Sequence, residues 1–347
     1  MKLRSVSSAL PSRQVSNSDI TELIRKHSTG HFTDDLERLL RKVGSFLRYT
    51  GSNIRYWLGP GERPIGLLRS AADSALERAE LCADQIEVLI YTGIGRGFIE
   101  PGGAYHAAHA IGLHRAHCFD IIDACMSWTR AVQVADALFR SGTFRTAMIV
   151  NAEFNMQPGG PVAPQLFRLE GMGELESTLP AYTLGEAATA TVLTAEDSPP
   201  WQFRFSSRPD LAPLCNVTLN GYEGYCEPSD KLARNGTGVF TSFGSEMHQA
   251  GRKEVQAVLR ELDPPLDEVA VLVTHASSKR EWQTQADHAG LGQVIHHVSD
   301  RIGNVVSASV PAALESAISA GRLRPGQRAV GWVGSAGMSF GAFTFVL

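Results

Sequence analysis

Three residues far apart in the chain have the types that carry nucleophilic, acid–base and hydrogen-bonding chemistry. Cys125 lies in Phe119-Asp120-Ile121-Ile122-Asp123-Ala124-Cys125-Met126-Ser127-Trp128, where an apolar strand passes into a helix. A thiol at a helix N-terminus meets the positive end of the macrodipole and unpaired amides. Both favour the thiolate, which is the nucleophilic form. Taken alone, the segment also reads as a buried cysteine packed as a small hydrophobe. His275 follows the apolar run Val269–Val273 in Thr274-His275-Ala276-Ser277, where a histidine is either a site residue or a structural one. Asn304, in Ile302-Gly303-Asn304-Val305-Val306-Ser307, stands at the mouth of another helix, a place where asparagine often serves as an N-cap or turn residue.

Other reactive side chains give weaker signals. His106, His109, His114 and His117 form two HxxH pairs, but in a stretch that reads as loop-rich and without carboxylate or thiolate partners at metal spacing. They are expected to be surface or interface histidines, and no metal site is expected. Cys82, Cys118, Cys215 and Cys226 read as packing residues or incidental thiols. The five cysteines include no CxxC pair, which argues against a disulfide framework or a zinc cage.

The elements that must position these residues begin with a helix after Ser18-Asp19, with Ile20, Leu23 and Ile24 on one face. A second helical repeat runs over 34–49, and Gly59–Pro64 is a loop. Helices are then predicted over 67–83 and 125–140, and strands over 87–91, 118–122 and 146–150. Such alternation predicts a mostly parallel sheet covered on both faces. The chain also echoes itself. A helix, an acidic turn and a strand ending at Ile90 recur at 255–273, about 180 residues later. The helix around Ala135–Leu138, Ser141-Gly142 and the strand Ala147–Val150 recur as Ala313–Ala317, Ala320-Gly321 and Ala329–Val333. Two copies of one α/β unit bring the loops after equivalent strands to a shared seam, where open α/β sheets bind ligands. Cys125, His275 and Asn304 stand at or beside three such strand ends.

Together these stretches, with the ending Gly334-Ser335-Ala336-Gly337-Met338-Ser339-Phe340-Gly341, resemble the thiolase superfamily, and within it the β-ketoacyl synthase III type of condensing enzyme. The resemblance runs over roughly residues 50 to 347. It includes Ser309-Val310-Pro311-Ala312-Ala313-Leu314, the Ala-Gly-Arg-Leu-Arg-Pro-Gly-Gln turn at 320–327 and the strand 185–193. It implies an α/β, five-layered αβαβα fold of two pseudo-duplicated halves, 1–195 carrying Cys125 and 196–347 carrying His275 and Asn304, and a homodimer. By the same resemblance, Cys125 accepts an acyl group from coenzyme A or an acyl carrier protein. His275 and Asn304 hold the carbonyl of a second thioester, and the amides of Cys125 and Ala336 form an oxyanion hole. No cofactor is bound permanently. The implied activity is Claisen condensation to a β-ketoacyl product in fatty-acid-like or specialised metabolism. The alternatives are acyl transfer to a hydroxyl or amine, with His275 as general base, and a silent subunit of a heteromeric synthase.

Glu100, in Phe98-Ile99-Glu100-Pro101, stands where the family places a residue that crosses the dimer interface. A glutamate there resembles the head-to-head acyl-condensing relatives, in which it removes the α-proton of the second acyl chain. The residue also reads as an exposed glutamate opening a loop before proline. Three features depart from the family pattern. Leu47–Trp57 lacks the aromatic and arginine contacts to the adenine of coenzyme A, so delivery by a carrier protein is at least as plausible. The loop over 156–182 is expanded, and the oxyanion turn reads Ser335-Ala336-Gly337 in place of glycines.

Composition supplies exclusions. A formal charge of −4 over 347 residues offers no basic footprint for duplex nucleic acid. No apolar run approaches the roughly 18 residues of a membrane span. Met1–Asp19 is polar and lacks the apolar core of a secretory signal, so a cytoplasmic location is expected.

Overall fold

A computed structural model describes residues 1–347. Strand Val88–Thr92 is buried at every position, the mark of a strand covered on both faces. It pairs in parallel with His117–Ile121 on one side and Thr146–Glu153 on the other. Ala187–Thr194 and Lys2–Ala9 continue the sheet antiparallel. A second sheet repeats this order. Val269–Thr274 pairs in parallel with Arg328–Ser335, and Ser339–Val346 and Gln202–Ser207 follow antiparallel. An isolated parallel bridge from Leu272 to Ile295 stands where the first sheet has its fifth strand.

Helices Pro64–Ala79 and Gly103–Ile111 cover the outer face of the first sheet, and Gly244–Leu262 and Lys279–His288 that of the second. Between the sheets lie Ser127–Arg140 and Ser309–Ser319, packed into a cluster of 27 buried residues drawn from both halves of the chain. These are the five layers of the expected αβαβα fold. Each central helix follows a short 3-10 turn, Ala124–Met126 or Val306–Ala308, and each turn is entered through a residue with positive φ, Ala124 at 45° and Val306 at 48°. Non-glycine residues rarely adopt this region, so its recurrence at matched places is independent evidence of the duplication.

Several boundaries differ from the sequence expectation. The polar N-terminus forms an ordered edge strand, because Ser5 turns inward and donates its hydroxyl to the Ala75 carbonyl at 2.6 Å. The first helix is capped by Ser16, with Asp19 completing a capping box at the third helical position. Helix Gly244–Leu262 begins well before Val255, and its polar first turns line a cavity. His106 and His109 lie on helix Gly103–Ile111 and not in a loop, and His106 stacks on Phe98. The expanded segment 156–182 folds into 3-10 turns and a one-turn helix, packed with helices Asn17–Ser28 and Leu36–Thr50 in a cluster that reaches Cys125. No helix is long and apolar enough to cross a membrane.

Candidate active site

Cys125 is presented by the turn between strand His117–Ile121 and helix Ser127–Arg140. Asp123 anchors that turn to the other half of the chain. Its carbonyl accepts from the Ser335 hydroxyl at 3.2 Å, and its Oδ1 accepts from the Ser339 hydroxyl at 3.2 Å. Ser335 Oγ also accepts from the Met126 amide at 3.2 Å. Cys125 is thereby docked against the turn Ala336–Met338, with the Ala336 amide beside its sulfur.

Burial pushes the Cys125 thiol well above its ordinary range, and nearby Cys215 and Glu153 add to this. The Ala336 amide and Ser335 hydroxyl pull in the opposite direction without overcoming it. Desolvation of this half-buried sulfur opposes the thiolate that the helix N-terminus favours.

His275 ends strand Val269–Thr274 and is buried. Burial, reinforced by His248 and partly offset by the Val306 carbonyl, lowers its imidazole to about 3. It is a neutral ring at physiological pH. Asn304 is fixed by its backbone and its side chain together. Its amide donates to the Thr183 carbonyl at 2.8 Å, and its carbonyl accepts from the Gly185 amide at 2.9 Å. Only glycine fits at 185, since a Cβ there would stand 2.1 Å from the Ile302 carbonyl oxygen. Asn304 Oδ1 accepts from the Val306 amide at 3.0 Å. A backbone N–H can only donate, so the contact identifies the oxygen and leaves Nδ2 as the free donor.

Cys125, His275, Asn304 and Ala336 all line one cavity of about 560 Å³. Glu100 does not; it is exposed on a surface loop beside Phe98 (49% exposed) and Ile99 (73%). No group of three or more His, Cys, Asp or Glu side chains, including the four histidines of the HxxH pairs, is arranged to hold a metal ion.

Sequence reasoning missed several residues here. Cys215, set aside as packing, lines the same cavity, as do Tyr49, His248, Arg252 and Glu281. Glu153, fully buried at the end of strand Thr146–Glu153, accepts from the Ile94 amide at 3.2 Å, the Gly95 amide at 3.3 Å and the Ser307 amide at 3.2 Å, as well as from the Ser307 hydroxyl. An acid directly ending an apolar run was the only signal that could have marked it.

Comparison with known proteins bears on the fold. Residues 259–347 match the family model described as 3-oxoacyl-[acyl-carrier-protein (ACP)] synthase III C terminal. The β-ketoacyl-[acyl-carrier-protein] synthase III of Pectobacterium atrosepticum is 26% identical over 304 residues, 84% of this chain and 87% of that protein. The enzyme of the same name from Roseiflexus castenholzii is 28% identical over 305 residues, 85% and 87% of the two chains. Among solved structures, Xanthomonas campestris OleA with bound lauric acid and lauroyl-CoA superposes with a TM-score of 0.84 at 19% identity, covering 99% of this chain and 98% of that one. The 3-oxoacyl-[acyl-carrier-protein] synthase III of Aquifex aeolicus gives 0.79 at 19% identity, covering 100% and 99%. At that identity the two structures establish the shared fold, and the curated relatives are similar over most of the chain. Residues 259–347 thus carry the C-terminal region of the 3-oxoacyl-[acyl-carrier-protein] synthase III family, and the chain as a whole is similar to β-ketoacyl synthase III enzymes and shares their fold.

Proposed function

We propose that the chain joins two acyl thioesters by Claisen condensation through a Cys125 acyl-enzyme, giving a β-ketoacyl product. The observation that carries the reading is the convergence of Cys125, His275, Asn304 and Ala336 on one cavity. The half spanning 1–195 supplies the nucleophile, and the half spanning 196–347 supplies the two donors. Attack of Cys125 sulfur on the first thioester builds negative charge on the carbonyl oxygen, and the Cys125 and Ala336 amides are the donors placed to hold it. The neutral His275 ring and Asn304 Nδ2 then hold the carbonyl of the second thioester, so its enolate forms under two uncharged donors. Thioester carbonyls are already activated, so the reaction calls for no bound cofactor. The substrates arrive on coenzyme A or an acyl carrier protein, in keeping with relatives named for the carrier protein and with the lauroyl-CoA bound to OleA.

The working form is a homodimer. Phe98, Ile99, Tyr105 and Ile122 are exposed hydrophobics on or beside the elements that flank the free edge of strand His117–Ile121. Pairing two copies there covers them, and it lets the Phe98–Glu100 loop enter the partner's site, where Glu100 acts as general base on the α-carbon of the second chain. The test is intact-mass analysis after incubation with acyl-CoA and acyl-carrier thioesters. A single acyl adduct is expected, lost in Cys125→Ala; equal labelling of that variant would defeat the reading.

A further inference from the structure

Residues 93–102 join strand Val88–Thr92 to helix Gly103–Ile111 and carry Glu100. Four of these ten residues are glycines, which lose the most conformational freedom when a chain is ordered. The tip is apolar and uncovered, with Phe98 and Ile99 exposed beside Glu100. A segment of this composition needs side-chain anchors to hold one shape.

The anchors stand at its two ends. At the start, the Glu153 carboxylate accepts from the Ile94 and Gly95 amides, and the Tyr91 hydroxyl donates to the Gly95 carbonyl at 2.6 Å. Arg96 follows, with its guanidinium over the Tyr91 ring at 5.7 Å. Its Nη1 donates to Asp120 Oδ2 at 2.9 Å, and its Nη2 donates to the Gly93 carbonyl at 2.9 Å. At the far end, Asp120 accepts from the Gly103 amide at 2.8 Å and the Ala104 amide at 2.9 Å, the first amides of helix Gly103–Ile111. Gly102 lets the carboxylate come this close, since a Cβ there would stand 2.5 Å from Asp120 Oδ1. Phe98 lies on His106 of the same helix, with ring centroids 4.0 Å apart. Asp120 pairs with Tyr91 across the sheet, on the strand whose end presents Cys125. The Arg96 and Asp120 side chains are 15% and 12% exposed. Desolvating the two offsets much of their attraction, so the pair is weak evidence for stability. What it fixes is geometry: one planar fork reaches an acceptor at each end of the loop.

We propose that Arg96, locked between Asp120 and the Gly93 carbonyl, is a positioning residue for Glu100, holding the loop preformed so that the carboxylate meets the α-carbon of the second acyl chain in the partner's site. The inference rests on Glu100 acting as the general base there. In that step the carboxylate takes an α-proton, and the enolate carbon attacks the carbonyl carbon of the acyl-enzyme. The new C–C bond forms, the C–S bond to Cys125 breaks, and the proton held by Glu100 restores the thiol. Arg96 touches none of the reacting atoms. Its contribution is to remove the loop's freedom before the partner covers it, so that the base arrives already oriented.

The test follows condensation on the full chain, preloaded from lauroyl-CoA and then mixed with further lauroyl-CoA. The β-ketoacyl product is read by mass spectrometry and the acyl-enzyme by intact mass. Arg96→Met keeps an unbranched side chain and leaves Asp120 on the Gly103 and Ala104 amides. The variant should therefore stay dimeric and take up the first lauroyl group at the wild-type rate. Its rate of product formation at saturating lauroyl-CoA should fall about 10- to 100-fold, the cost of a reacting group displaced by about an ångström, with half-saturation unchanged. Arg96→Lys keeps the charge but not the fork, and should recover part of the loss. In a Glu100→Ala background, Arg96→Met should cause no further loss, because a positioning residue acts only through the group it positions. The same comparison made with Arg96→Lys serves if Arg96→Met does not fold. A packing defect would slow product formation by the same factor in both backgrounds, and that result would overturn the inference. So would a monomeric Arg96→Met, or one that condenses at the wild-type rate. Full turnover by Glu100→Ala, or a wild-type chain that forms no β-ketoacyl product, would instead overturn the reading beneath it.

Discussion

Ser307 donates both its hydroxyl and its amide to Glu153 Oε1, and so ties the second half of the chain to the end of a strand in the first. Ser307 follows the positive-φ residue Val306 as Cys125 follows Ala124. The counterpart of the nucleophile in the duplicated half thus became a structural anchor. The same carboxylate holds the Ile94 and Gly95 amides, at the start of the loop that leads to Glu100.

Removing that acceptor should be expensive. Glu153→Ala leaves the buried Ser307 amide without a partner, at about 1–3 kcal/mol, and takes the acceptor from the part-buried Ile94 and Gly95 amides as well. A loss near 3 kcal/mol is expected, seen as a lower denaturation midpoint in urea. A midpoint unchanged from wild type would mean that water replaces the carboxylate without cost.

Asn304 leads to a second expectation. With its oxygen held by Val306, only Nδ2 is free to donate. Asn304→Asp keeps the acceptor and loses the donor, so Cys125 should still be acylated while condensation falls. Loss of one oxyanion-type donor corresponds to about 2.7–4 kcal/mol in barrier, or roughly 100- to 1,000-fold. Equal loss in acylation and condensation would show that the side chain serves the fold and not the second half-reaction.

What the sequence made legible was pattern, and what it hid was environment. The echo of helix, turn and strand predicts both sheets, because apolar period and turn residues are local properties. Cys125, His275 and Asn304 could be picked out because each stands at or beside a strand end or a helix start. His248 and Glu281 could not, since they lie on polar turns that look solvated until the opposite wall of the cavity is known. Lys2–Ala9 escaped for the same reason: Ser5 and Ser7 point inward, and serines do not advertise a core face. The helix-terminus position of Cys125 is readable in sequence, and the desolvation that opposes its thiolate is not.

The exposed loop yields a prediction about assembly. Ile99→Asp with Ile122→Asp places two charges on the apolar surface around Phe98 and Tyr105. Light scattering after gel filtration should give twice the chain mass for wild type and a monomer for the double variant, with condensation lost. Glu100→Ala should stay dimeric and acylate normally, yet lose condensation by a factor of 100 or more, the range for a missing general base. Full turnover by Glu100→Ala would leave that glutamate a surface residue.

The last prediction concerns acid stability. His296 Nε2 contacts the Ser316 hydroxyl at 2.9 Å, and His297 Nε2 contacts Gln283 Oε1 at 3.0 Å. Burial lowers both rings to about 4. In the unfolded chain each titrates near its ordinary 6.5. Between those values the unfolded state binds protons that the folded state refuses, so stability falls as pH drops from about 6.5 towards 4. Buried Glu153 and Glu186, whose carboxyls are raised by burial, act in the opposite direction in the same region. The histidine contribution is therefore isolated by comparing variants and not by the wild-type curve alone. His296→Gln with His297→Gln should flatten the fall in denaturation midpoint between pH 7 and 5, while Glu153 and Glu186 contribute equally to both proteins. Parallel curves for wild type and the double variant would mean that these rings take up protons in the folded state as readily as in the unfolded one.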